Sequence, residues 1–199
     1  MLRLNTSSSA PDRSVLKGGP FWSASASYPK TLTYLVRVAP VAGVTYGSQT
    51  RLLDVWLQLP AVPFSSDGGA LISFSVCNDS LAKGIYIERF EQSSLMSKVS
   101  TALDMTVPHI FQLSVRMDGP HSGSFTIYAD GSDTPIVPTV TSTDMIRTWE
   151  QQEFITFGDE GAYSVVSDID WMAWTTAGAF KPSQLKGALP GGLGITTGY

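Results

Sequence analysis

The feature that most constrains this chain is a period-2 alternation of apolar and polar side chains, repeated in short runs. In "TLTYLVRV" (31–38), Leu32, Tyr34, Val36 and Val38 alternate with Thr31, Thr33, Leu35 and Arg37. In "RLLDVWLQL" (51–59), Leu53, Val55, Leu57 and Leu59 alternate with Asp54, Trp56 and Gln58. "ALISFSVC" (70–77) sets Ile72, Phe74 and Val76 against Leu71, Ser73, Ser75 and Cys77. "KGIYIERF", "HIFQLSVRM", "SFTIYAD", "EFITFGD" and "SDIDWMAWT" continue the pattern. Successive side chains of a strand point to opposite faces, so such runs read as half-buried antiparallel strands.

The punctuation agrees. "DGGA", "MDGPHSGS" and "ADGSD" carry Asp-Gly or Gly where hairpin turns need positive φ. One segment reads differently. In "TSTDMIRTWEQQE" (141–153), Ser142 or Thr143 stands as an N-cap, Asp144 in the first turn, and Met145, Ile146 and Trp149 at helical spacing. The expectation is an all-β, two-sheet antiparallel sandwich of jelly-roll type with one short helix there.

Composition bounds function. The 199 residues fit one domain with tails. Charged residues are 15% of the chain, and the net charge is −4. Binding to a nucleic acid backbone needs clustered Lys and Arg, and no basic run occurs. No stretch approaches the length of about 18 apolar residues that a membrane helix requires. The single cysteine, Cys77, lies in an alternating apolar run and reads as a small buried hydrophobe. The two histidines, His109 and His121, open a strand and sit in a turn, without a catalytic motif around either.

Residues 1–20 ("NTSSSAPDRS", "KGGP") and 185–199 ("LKGALPGGLGITTGY") are turn-rich and poor in periodic apolar residues. They read as an N-terminal arm and a Gly-rich C-terminal tail flanking a domain over 21–184. The start lacks the apolar centre of a signal peptide. That leaves an intracellular chain, a processed fragment, or one carried outside by an assembly.

The later half of the chain resembles laminin-G-like members of the concanavalin A-like lectin/glucanase superfamily. The residues that carry the resemblance are Tyr128-Ala129-Asp130-Gly131, Phe157-Gly158-Asp159, and Asp168, Asp170, Trp171 and Trp174, followed by Gly178, Ala179, Phe180 and Pro182. It covers about residues 105–183; the first hundred match in strand pattern alone. The resemblance implies a jelly roll of two curved sheets in which "FWSASASYPKTLTYLVRV" neighbours "SDIDWMAWTT". Both tails would then lie on one side of the sandwich. Glucanases of that superfamily carry Glu-x-Asp-x-x-Glu on one strand. That run is absent here, and Glu88 and Glu91 fall on opposite strand faces. No catalytic residue is assigned.

Two sites follow from side-chain chemistry. Asp168 and Asp170 share a strand face about 7 Å apart, and with Asp159 they form a candidate calcium site of hard oxygen ligands. On the same alternation, Ile169, Trp171 and Ala173 are expected to face the core, and Asp168, Asp170, Met172 and Trp174 the other side. Trp56 and Trp174 fall opposite core-facing neighbours and are candidate sugar platforms. No cofactor is expected beyond that calcium.

The expected function is a non-catalytic recognition or structural module with glycan binding. Phage head-decoration and tail or fibre proteins resemble this fold family, and the arms suit docking onto other chains. The expected setting is therefore the surface of a virion, as a homo-oligomer or part of a larger assembly, with no nucleic acid or membrane partner. A cellular or extracellular carbohydrate-binding protein is the alternative, and a glycan-cleaving enzyme ranks third.

Overall fold

Leu32, Tyr34, Val36 and Val38 are all buried, and so are Leu53, Val55 and Leu57, and Ile72, Phe74 and Val76. The alternation thus chooses the inner faces of three strands correctly. The computed structural model describes residues 2–5, 16–18, 21–22, 27–47, 50–59, 69–78, 83–87, 97–98, 103–119, 122–142, 146–148, 154–157, 164–188 and 194–196. Among these residues the strands are β1 (Leu2–Asn5), β2 (Leu16–Gly18), β3 (Lys30–Pro40), β4 (Thr50–Arg51), β5 (Leu53–Leu59), β6 (Gly69–Asn78), β7 (Lys83–Ile87) and β8 (Ser97–Lys98). There follow β9 (His109–Met117), β10 (Gly123–Ala129), β11 (Val137–Ser142), β12 (Ile146–Thr148), β13 (Phe154–Phe157), β14 (Ser164–Thr175), the helix α1 (Pro182–Ala188) and β15 (Gly194–Thr196).

The described strands form two sheets. One has the order β1-β14-β3-β9-β10-β11, with β15 and β4 also on β14; the other has the order β2-β13-β5-β6-β7-β8, with β12 also on β6. All pairings are antiparallel except β4 with β14. An apolar cluster of described residues joins the layers. The first sheet supplies Val36, Phe111, Leu113, Phe125, Ile127 and Ile169; the second supplies Val55, Leu57, Ile72, Phe74 and Ile155. Burying each such side chain contributes about 1.5–3 kcal/mol before entropy is subtracted. The chain is a mostly β, two-layer sandwich, and β3 lies beside β14 as expected.

The helix is elsewhere than expected. Within 141–153, Thr141 and Ser142 end β11, and Ile146–Thr148 forms β12 against Gly69–Leu71 of β6. Met145 and Trp149 lie outside the described residues. Strand β7 occupies that edge of β6 only at Ser75–Asn78. At Gly69–Leu71 the backbone of that edge pairs instead with a short incoming strand, and that pairing overrides a local helix signal. The helix observed is α1, started by Pro182 at its first turn. The Gln184 side-chain oxygen accepts from Lys181 N at 2.8 Å, and Asp133 Oδ1 accepts from Ser183 N at 2.8 Å.

Residues 176–181 lead from β14 across the outer face of the first sheet. Thr31 Oγ1 donates to Thr176 O and Thr33 Oγ1 to Gly178 O, while Phe180 N donates to Thr33 Oγ1. Gln112 Nε2 and Ser114 Oγ both donate to Phe180 O. This strap accounts for the burial of Thr33, Gln112 and Ser114 on a face whose parity would otherwise expose them. Among the described residues no helix is long and apolar enough to cross a membrane.

Candidate functional site on the outer face of the first sheet

Strand β14 carries a β-bulge. Its register against β3 pairs Ile169 with Val38, then shifts, so that Trp171 pairs with Arg37, Met172 with Val36 and Trp174 with Tyr34. Directly opposed residues of an antiparallel pair share a face. Val38, Val36 and Tyr34 face the core, so Ile169, Met172 and Trp174 do too. Trp171 goes with Arg37 to the outside and is half-buried. This corrects the expected assignment of Trp171 and Ala173 to the core and of Met172 and Trp174 to the other face; Ala173, opposite Leu35, lies on the outer face. A bulge inserts an extra residue and reverses the parity of everything after it; strict alternation cannot register that.

The bulge gathers a charged cluster beside Trp171. Asp168 stands opposite Arg3 of β1, which donates from Nε to Oδ1 at 2.8 Å and from Nη2 to Oδ2 at 2.9 Å. The Asp168 side chain is 10% exposed and that of Arg3 60%. Arg3's hydrogen bonds hold the Asp168 carboxyl below the usual carboxylate range, against the opposing effect of burial. Arg37 Nη1 donates to Asp170 Oδ2, and these two side chains are 34% and 35% exposed. Leu35 and Ile110 stand next to Arg37 along and across the same face. Tyr46 pins the adjoining loop: its hydroxyl accepts from Val41 N and donates to Val166 O, each at 2.8 Å.

The chemistry of this face follows. A carboxyl held below its usual range is ionised near neutral pH and cannot deliver a proton as a general acid. Asp168 and Asp170, placed on one strand by the sequence, are each matched by a guanidinium, so the cluster Arg3, Arg37, Asp168, Asp170 is neutral. Asp159 lies outside the described residues. Among the described residues, no group of three or more His, Cys, Asp or Glu side chains is placed to hold a metal ion. What remains is an aromatic ring beside exposed hydrogen-bond donors and acceptors.

The two tryptophans expected as sugar platforms stand in different sheets. Trp174 is half-buried at one end of the sandwich, where it stacks on Tyr34 (centroids 6.1 Å apart, planes 4° apart) and meets the edge of Phe21 at 6.0 Å. Burial pushes the Tyr34 phenol up, away from ionisation. Trp22 joins that group, its Nε1 donating to Thr31 O, and the Lys30 ammonium lies over Trp22 and Tyr28. Trp56 stands in β5 opposite Ser73 and Thr156.

Sequence reasoning missed both arginines. Arg3 fell in a segment read as an arm, and Arg37 appeared only as a polar residue of an alternating strand. The visible signal was a lone Arg in each of two strand-like runs; pairing them with Asp168 and Asp170 needed the register. His109, read as opening a strand without a catalytic motif, is buried. Its ring nitrogens lie 2.8 Å from Asp130 Oδ2 and 2.8 Å from Asp104 O. His121 lies outside the described residues. Cys77 is buried, as expected.

No protein-family model and no curated protein matches this sequence. Among solved structures, the chain is similar to peanut lectin with a 9mer peptide, at 12% identity over 84% of this chain and 85% of that one, with a TM-score of 0.38. It is also similar to a protein of unknown function from Shewanella oneidensis MR-1, at 17% identity over 86% of this chain and 76% of that one, with a TM-score of 0.36.

Proposed function

We propose that the chain is a non-catalytic recognition module that binds carbohydrate on the outer face of its first sheet, around Trp171. The observation that carries this reading is the placement of a half-buried indole directly across from Arg37, beside the Arg37–Asp170 and Arg3–Asp168 pairs. An indole offers an apolar face to the C–H side of a sugar ring, and flanking charged groups hydrogen-bond its hydroxyls.

The proposal includes the finer fold assignment, a jelly roll of the laminin-G-like kind; β14 beside β3 supports it. It also includes the setting: a structural protein on a virion surface, mounted on other chains through the parts of residues 1–20 and 185–199 that lie outside β1, β2, α1 and β15. The Ser, Gly and Pro content of those segments supports docking. An extracellular lectin-like protein is the alternative setting. No resident cofactor is proposed, with calcium at Asp159, Asp168 and Asp170 kept as an arm of the test.

The test is a glycan array probed with the full chain and with Trp171→Ala, each with calcium or with a chelator, alongside native mass spectrometry. Binding lost in Trp171→Ala supports the reading. An array with no binding under either condition overturns the carbohydrate assignment, and a monomer at all concentrations overturns mounting through self-assembly.

A further inference from the structure

We infer that the Trp171 face selects uncharged, hydroxyl-rich sugar rings and rejects anionic ones; this rests on the carbohydrate reading above and names its ligand class. Among the described residues, the two guanidiniums beside Trp171 each have an anion. Arg3 is held by both oxygens of Asp168, and Arg37 by one oxygen of Asp170. The charged group of an acidic sugar, whether carboxylate, sulfate or phosphate, presents acceptors only and is best met by uncompensated positive charge. Here it would meet Asp170 beside Arg37, and like charges brought together cost affinity. The chain's net charge of −4 adds a long-range repulsion of the same sign.

A pyranose hydroxyl has the opposite requirement, since it both donates and accepts. The Arg37–Asp170 pair meets it. Its described contact uses Arg37 Nη1 and Asp170 Oδ2, which leaves Arg37 Nε and Nη2 as donors and Asp170 Oδ1 as an acceptor, on side chains about a third exposed. Two neighbouring ring hydroxyls can therefore be read by one guanidinium and one carboxylate, while Trp171, Leu35 and Ile110 offer apolar surface on the same face. Selectivity comes as much from the rejecting carboxylate as from the attractive contacts.

The experiment titrates the full chain, by calorimetry and tryptophan fluorescence, with two sets of probes. The neutral set holds methyl glycosides of glucose, galactose and mannose and their short oligomers. The anionic set holds sialyllactose, a uronate oligosaccharide and a sulfated disaccharide. The expected result is a neutral probe bound at least about tenfold more tightly than any anionic one, with that affinity lowered about tenfold in Trp171→Ala. Asp170→Asn keeps the shape of the bulge residue and releases Arg37 from its counter-charge. It is expected to shift the neutral-to-anionic ratio by about tenfold toward the anionic set, while Arg37→Gln shifts it no further toward anions than the native chain. A native preference for anionic probes overturns the selectivity and leaves the carbohydrate reading standing. Neutral binding that Trp171→Ala does not change overturns this face as the site. Silence from both sets overturns the selectivity and the carbohydrate reading together.

Discussion

Arg3 and Asp168 stand directly opposite one another across β1 and β14, joined by two N–H···O bonds of 2.8 and 2.9 Å. The pair ties a four-residue strand to an edge of β14 that β15 shares further along, at Met172–Trp174. A sheet edge left bare invites pairing with other chains, and here two short strands cover it.

The pair's contribution depends on pH in one direction. Arg3 holds the folded Asp168 carboxyl below its usual range, so stabilisation is complete above the ordinary carboxylate pKa, near about 4. It is lost as pH falls through the lower, folded value. Arg3→Ala is expected to melt below the native chain at neutral pH, with the gap in Tm closing in acid below pH of about 4. Thermal unfolding of both proteins across that range checks it; a gap that widens in acid refutes the assignment.

The bulge in β14 makes a prediction opposite to that of plain alternation. Met172 faces the core and Trp171 the outside. Met172→Ala is expected to cost about 2–4 kcal/mol through lost burial and a residual cavity. Trp171→Ala is expected to stay within about 1 kcal/mol despite removing a larger side chain. Denaturant unfolding of the two variants decides; the reverse order would mean that β14 pairs without the shift.

Asp130 closes the turn after β10 with φ at 54°, in the left-handed region. Its Oδ1 accepts from Ile110 N at 2.9 Å and its Oδ2 lies 2.8 Å from His109 Nδ1. Asp tolerates this backbone better than most residues because its short side chain bonds locally. Asp130→Ala loses both contacts and keeps the unfavourable φ, an expected cost of about 2 kcal/mol. Asp130→Asn, which keeps an acceptor for Ile110, is expected to cost about half as much. Equal losses in chemical denaturation would show that the turn, and not the side-chain oxygens, carries the effect.

Ser167 is fully buried on the inner face of β14, and its hydroxyl has no hydrogen-bond partner among the described residues. A buried hydroxyl without a partner pays desolvation and receives nothing in return. Ser167→Ala is therefore expected to be neutral or to stabilise by about 1 kcal/mol, measured as a shift in denaturation midpoint. A clear destabilisation would reveal a bond that Ser167 makes in solution.

Legibility followed physical range. The inner faces of β3, β5 and β6 could be read directly, because period-2 burial is a local property of each strand. The neighbours β3 and β14 were reached through the resemblance. The helix expected near Ile146 failed because its caps and spacing are local signals, and the vacant edge of β6 beside Gly69–Leu71 is a distant one. The site was half legible. Asp168 and Asp170 were placed on one strand from sequence, but their partners Arg3 and Arg37 lie 165 and 133 residues away.

The order of apolar and polar residues by itself determined that this chain forms strands, and which side of β3, β5 and β6 turns inward. Only the tertiary structure decided that β14 slips by one residue at Asp170, which sends Trp171 out beside Arg37 and Met172 in against Val36. Alternation is set by the geometry of a single strand. A bulge is set by the hydrogen-bond register between two strands, and a one-residue shift there exchanges the faces of all that follows.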